Sequence, residues 1–168
     1  MAFTLEDGTG IAEANSYMSV AEFKTYHNDR GNVINDLGGD GGIQQALIRG
    51  TDYIEQRWGT LFMGSREFDE QPLAFPRVNL YDRDGDLVQG IPDRLKFALA
   101  EYALQAKSSA LFLEPTVDAT GLRIRRQKIG PIEQEFMPGD IPKTTRSLPA
   151  ADKWLQEYVV PGGRTMRG

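Results

Sequence analysis

Four cations fall within residues 123 to 128: Arg123, Arg125, Arg126 and Lys128. They are the best candidates in the chain for chemistry with another molecule. Cations so crowded can displace counterions from a nucleic-acid backbone. Stacking on bases would also need aromatic rings among them, and Phe136 is the only ring nearby. Arginines equally suit carboxylates of a neighbouring protein, because the guanidinium fork meets a carboxylate with two hydrogen bonds. The residue pattern favours a protein–protein arm, with nucleic-acid binding as the rival reading.

The remaining candidates read more simply. Asp82-Arg-Asp84-Gly-Asp86, with Asp93 eleven residues after Asp82, resembles a calcium loop. Its glycine comes too early and its last acid is Asp rather than Glu, so an Asp-Gly turn between short strands is expected. Asp7-Gly-Thr-Gly10 and the glycines from Gly38 to Gly42 fit neither phosphate-binding signature, and no lysine follows them as that chemistry requires. His27 is the lone histidine, which disfavours a multi-imidazole metal site, and no nucleophile elbow exists. Glu67, Asp69 and Glu70 read as solvated loop charges. Cysteine is absent, so disulfides and thiolate chemistry are excluded. The expectation is a protein without a catalytic centre, cofactor or metal.

Those residues need elements to hold them. Ser19 and Glu22 have capping-box spacing, and Val20, Phe23 and Tyr26 give the following helix one apolar face, to about Asp29-Arg-Gly31. A glycine-rich loop follows. Asp40 is then expected to cap a second helix, from Gly42 or Ile43 to Trp58. Its core side is Ile43, Leu47, Ile54 and Trp58, with Ala46 and Tyr53 beside them. Gly50 in its middle costs about 1 kcal/mol against Ala and suggests that another backbone comes close. Residues 59–91 read as irregular. Pro92 is expected at the first position of the longest helix, running to about Leu113 with an alanine-rich stripe from Leu95 to Ala110. Residues 122–136 read as a β-hairpin arm. A last helix is expected from about Pro149 to Val160, burying Leu155, Tyr158 and Val159. The tail 161–168 has no core and is expected to be flexible.

The whole is thus expected to be mainly α: a small helical bundle with an extended β-hairpin arm and a flexible C-terminal tail. At 168 residues, 40% apolar and 26% charged, it suits one folded domain over 1–160 that includes the arm. No leader is apparent, and the apolar run 95–113 carries Lys96, Glu101 and Lys107, so no membrane association is expected. A cytoplasm-like setting follows as the default. Charge is segregated: from Leu122 onward nine Lys/Arg stand against five Asp/Glu, a surplus of +4. The net charge of −5 then leaves −9 for the first 121 residues. Such polarity favours head-to-tail contacts between copies, or an acidic partner.

Several segments, in this order, resemble one family over almost the whole chain. They are Glu6-Asp-Gly-Thr-Gly10, Ala14-Asn-Ser-Tyr17, Ala46-Leu-Ile-Arg-Gly-Thr-Asp-Tyr-Ile54 and Ala74-Phe-Pro-Arg77. After them come Asp82-Arg-Asp-Gly85, Ile91-Pro92, Ala100-Glu-Tyr-Ala-Leu104, Lys128-Ile-Gly-Pro-Ile-Glu133 and Pro149-Ala-Ala-Asp152. The order is similar to that of tailed-phage head–tail connector (adaptor) proteins, a family that includes a group labelled DnaT-like single-stranded-DNA-binding proteins. The resemblance implies a structural homo-oligomer, a ring typically of twelve copies, bridging the portal and a tail-side neck or tail protein. It implies residence in the virion after synthesis in the host cytoplasm, with genomic DNA passing through the lumen without tight binding. It also implies that the C-terminal segment, with Val159, Val160, Arg164, Met166 and Arg167, reaches toward the portal. The arm residues Arg123, Arg125, Arg126 and Lys128 would then lie at subunit or tail-side contacts. The alternative function is a single-stranded nucleic-acid-binding accessory that uses the arm.

Overall fold

A computed structural model describes residues 2–32, 34, 38–112, 126–129, 132–135 and 147–160. In 126–129 and 132–135 it is the backbone alone that is described. The chain divides into two compact units, residues 1–110 together with 147–168, and residues 111–146.

The first unit is built on helices. α1 (Val20–Asp29) starts at the expected capping box, with Ser19 and Glu22 each satisfying the other's backbone N–H. It buries Phe23, Tyr26 and His27. α2 (Gly39–Trp58) begins earlier than its apolar pattern suggests. Its N-cap is Gly38 in the left-handed region, where a glycine carries no Cβ penalty. Asp40 is therefore not the cap; it lies in the first turn and pairs with Lys24 of α1. Two residue pairs, β1 (Ser65–Arg66) and β2 (Arg77–Val78), form a short antiparallel sheet inside the otherwise irregular 59–91 segment.

α3 (Asp93–Ser108) is shorter than expected. Pro92 is its N-cap in extended geometry, one place before the first helical position. At the other end the Ser108 hydroxyl donates to the Gln105 carbonyl, and the Gln105 amide reaches Ser109. Serine side chains that bond to nearby groups compete with helix continuation, and Ser109 is extended. Leu95, Ala98, Leu99, Tyr102, Ala103 and Ala106 of the stripe are buried, while Ala110 is exposed beyond the helix end. α3 packs between α2 and α4 (Pro149–Leu155). Small residues set the closeness of the first contact. A Cβ on Gly50 would stand 2.8 Å from Leu99 Cδ1 and 3.2 Å from the Ala103 backbone nitrogen.

α4 also stops short. After Leu155 the chain turns, and residues 158–160 lie antiparallel to 61–63. Phe62 bridges Val159, the Met63 N–H donates to the Tyr158 carbonyl, and the Val160 N–H donates to the Leu61 carbonyl. Leu155, Tyr158 and Val159 are buried as expected. The ribbon ties the end of this unit to the irregular segment, which is why the apolar residues there do not continue the helical period.

Among the described residues the second unit contains an antiparallel pair, β3 (Arg126–Ile129) and β4 (Ile132–Glu135), in the place expected for the arm. The architecture is mainly α with a hairpin. Residues 161–168, expected to form a flexible tail, lie outside the described residues, as do the flanks of the arm.

Candidate nucleic-acid interface

The arm offers the clearest concentration of cations. Of its four, Arg126 and Lys128 fall in β3, while Arg123 and Arg125 lie outside the described residues. The register matters for their charge. It sets Arg126 opposite Glu135 and Lys128 opposite Glu133, with Gln127 opposite Gln134 and Ile129 opposite Ile132. Opposite charges at facing positions stabilise an antiparallel pair by about 0.2–1 kcal/mol. They also cancel at long range, so the two described strands carry no net charge. The surplus of the arm rests on Arg123 and Arg125.

Among the expected C-terminal contact residues, Val159 is buried in its bridge to Phe62, and Val160 is 47% exposed. Arg164, Met166 and Arg167 lie outside the described residues.

The helical body commits many of its own cations internally. Arg77 is buried, and among the described residues no carboxylate pairs with it. Its guanidinium donates to the carbonyls of Met63, Ala74, Phe62 and Gly64 at 2.7–3.1 Å. Burial lowers its pKa from the usual arginine value, and nearby Arg66 acts in the same direction. Arg57 forms a bidentate pair with Asp152, at 3.0 and 2.7 Å. Asp152 also accepts from Ser147 and from Tyr102, whose hydroxyl takes a further bond from the Trp58 indole. Burial, then the Asp152 contact, holds the Tyr102 phenol well above its ordinary range. Lys96 pairs with Glu22 and Arg94 with Glu157. The Arg57 and Lys96 pairs join helices, and all these contacts leave those cations poorly placed to neutralise phosphate.

The other chemical candidates are also occupied by structure. The Glu6 carboxylate is 1% exposed and accepts from the backbone N–H groups of Gly8, Gly10 and Ile11, all at 2.9 Å. A glycine-rich loop that could have cradled a phosphate is already filled by the chain's own anion. Asp82 Oδ1 accepts from the Asp84 and Asp86 amides, and Tyr81 bridges Leu87 across the loop. The segment is therefore the expected Asp-Gly turn. Among the described residues no group of three acidic, His or Cys side chains is arranged for a metal.

His27 is fully buried between Ala100 and Asn32. The carbonyl of Ala100 requires Nε2 to donate, and the Asn32 amide then donates to Nδ1, which fixes the neutral tautomer. Burial lowers its pKa from the ordinary 6.5. Glu55 of α2 binds the Tyr17 hydroxyl and, at 2.9 Å, the Ala74 N–H; the Phe75 N–H donates to the same hydroxyl. Burial raises the Glu55 pKa.

Sequence reasoning did not find these buried polar groups as such. Yet five of them sit inside segments that carried the family resemblance: Glu6, Tyr17, Arg77, Tyr102 and Asp152. Those segments cross-link the fold through single buried polar side chains.

Among the described residues no helix is long and apolar enough to cross a membrane. A family model described as "Putative DnaT-like ssDNA binding protein" matches residues 1–168. No curated protein and no solved structure matches the chain.

Proposed function

The chain belongs to the family described as putative DnaT-like ssDNA binding proteins, and from that membership we propose that it is a non-enzymatic, single-stranded-DNA-binding accessory protein. The observation that carries this reading is the match over the full 168 residues. Charge segregation supports it: the arm is basic while the body is acidic and engages Arg57, Arg77, Arg94 and Lys96 in internal contacts. Arg123, Arg125, Arg126 and Lys128 bind the phosphate backbone, and the acidic body keeps the rest of the strand away. Such binding is electrostatic and indifferent to base sequence. The test is binding of a fluorescent oligothymidylate at about 50 mM salt, repeated as salt rises. Binding that weakens steeply with salt, and is lost when the four cations become Ala, supports the reading. No binding at the lowest salt removes it.

A second reading is favoured by the acidic body and the overall charge polarity. Here the chain is a structural head–tail connector of a phage virion, forming a ring that meets the portal on one side and a tail component on the other. The basic arm then meets protein carboxylates, and an acidic lumen lets genomic DNA slide. Mass measurement of the purified protein, alone and with portal, tests it. A chain that neither assembles nor binds portal speaks against this role.

A further inference from the structure

Large apolar side chains left exposed are unevenly distributed. Among the described residues they are Leu61, Phe68, Val78, Tyr81, Leu87, Phe112 and Val160. The first five come from the 59–91 segment, and Val160 is hydrogen-bonded to Leu61 of that segment. Tyr81 and Leu87 face one another across the Asp-Gly turn, each about half exposed (52% and 50%). The turn is held by the Asp82 carboxylate and by the Val88 N–H to Leu80 carbonyl bond. It is a braced projection carrying two apolar side chains.

The same segment is acidic. Glu67, Asp69, Glu70, Asp84 and Asp86 are exposed, and none forms an ion pair among the described residues. Of its three cations, Arg77 is spent on backbone carbonyls, leaving Arg66 and Arg83. A surface of this kind repels phosphate, so it is not part of a DNA site. Exposed apolar groups interspersed along a segment with uncompensated charge mark a protein contact.

We propose that this acidic, apolar segment, including the Tyr81–Leu87 turn, is the docking surface for the basic segment 122–128 of a second copy of the chain. The complementarity is in the sequence of that segment, Leu122-Arg-Ile-Arg-Arg-Gln-Lys128. Apolar and cationic residues alternate at its start, and it carries four positive charges against the surplus of carboxylates. Because the two surfaces are different, the contact is heterologous and propagates from copy to copy. This deepens the second reading by naming its self-contact. It also gives the arm a partner that competes with DNA for the same arginines.

The experiment uses the full chain in two charge-reversed forms. One carries Asp84→Lys and Asp86→Lys, which leaves the bracing Asp82 untouched; the other carries Arg123→Glu and Arg125→Glu. Light scattering over a concentration series gives the mass of each alone and of the mixture, with circular dichroism as the check on folding. The wild-type chain is expected to self-associate. Each variant alone should be monomeric, because like charges then face one another. Mixing the two should restore assembly, since each contact regains opposite charges. A folded wild type that stays monomeric throughout overturns the proposal, as does a lysine variant that still assembles or a mixture that does not. Should variants misfold, Tyr81→Ser with Leu87→Ser gives a second test: assembly must be lost, and unchanged assembly refutes the surface. Portal binding by a chain that fails these tests would leave the connector reading standing without this interface.

Discussion

Thr51 is fully buried in α2, and its hydroxyl has no hydrogen-bond partner among the described residues. A buried hydroxyl without a partner costs about 1–3 kcal/mol in desolvation. Valine has nearly the same shape and no such group. Thr51→Val should therefore raise stability by about 1 kcal/mol, read as a higher urea midpoint at an unchanged slope. His27 sets a pH dependence of definite sign. Its folded pKa lies below the ordinary 6.5, so the unfolded chain takes up the proton first. Stability is complete above pH 6.5 and is lost as pH falls from there toward the lower folded value. Glu101 opposes this shift and Arg30 assists it. A melting series from pH 7.5 to 5.5 should show the decline in the wild type and a flatter profile in His27→Gln. Glu55, with its raised pKa, runs the other way, and its contribution is lost as pH rises above 4.5 toward the folded value.

Among the elements, the contact of α2 with α3 depends on one missing methyl group. Gly50→Ala would gain about 1 kcal/mol of helix propensity. The added Cβ must then push against Leu99 and the Ala103 backbone, and overpacking of this kind costs about 1–3 kcal/mol. Leu99 can rotate aside but a backbone nitrogen cannot, so the expected result is a net loss near 1 kcal/mol, seen as a lower melting temperature. This approach was legible in the sequence, because a glycine costs a helix stability and its place in an apolar pattern points to a close neighbour. The α1 capping box was legible too, since its signal is local. The ends of α3 and α4 were not, since hydrophobic period says little about where serines or a strand partner stop a helix. Arg57, Tyr102 and Asp152 were invisible as a group. Each reads as an ordinary residue alone, and their meeting is made by packing of three helices. For the arm, the sequence placed the cations on one limb and two glutamates on the other; the register settled which residues stand opposite one another.

For the molecule as a whole, that register makes the two halves of the cationic run unequal. Arg126 and Lys128 are each opposed by an acid, whereas Arg123 and Arg125 lie outside the described residues. On the DNA-binding reading, Arg123→Ala and Arg125→Ala should each reduce the salt slope of binding by about 0.7. Arg126→Ala and Lys128→Ala should change it less. Equal effects from all four would mean that the glutamates do not screen their partners. The sequence already held the charge polarity behind this, since polarity needs no fold. It could not say that Arg57, Arg77 and Arg94 are engaged, because that depends on which carbonyls and carboxylates close around them.

The pairing of Asp152 with Arg57 links positions 95 apart in sequence, and α4 returns to α3 only after residues 111–146 have been traversed. The covalent connection through that stretch is therefore not what keeps the last helix in place. A protease cut between 111 and 146 should yield two fragments that travel together on a sizing column and separate only in denaturant. Separately produced fragments should complement one another when mixed. Cargo spliced into that stretch should likewise leave the helical body standing.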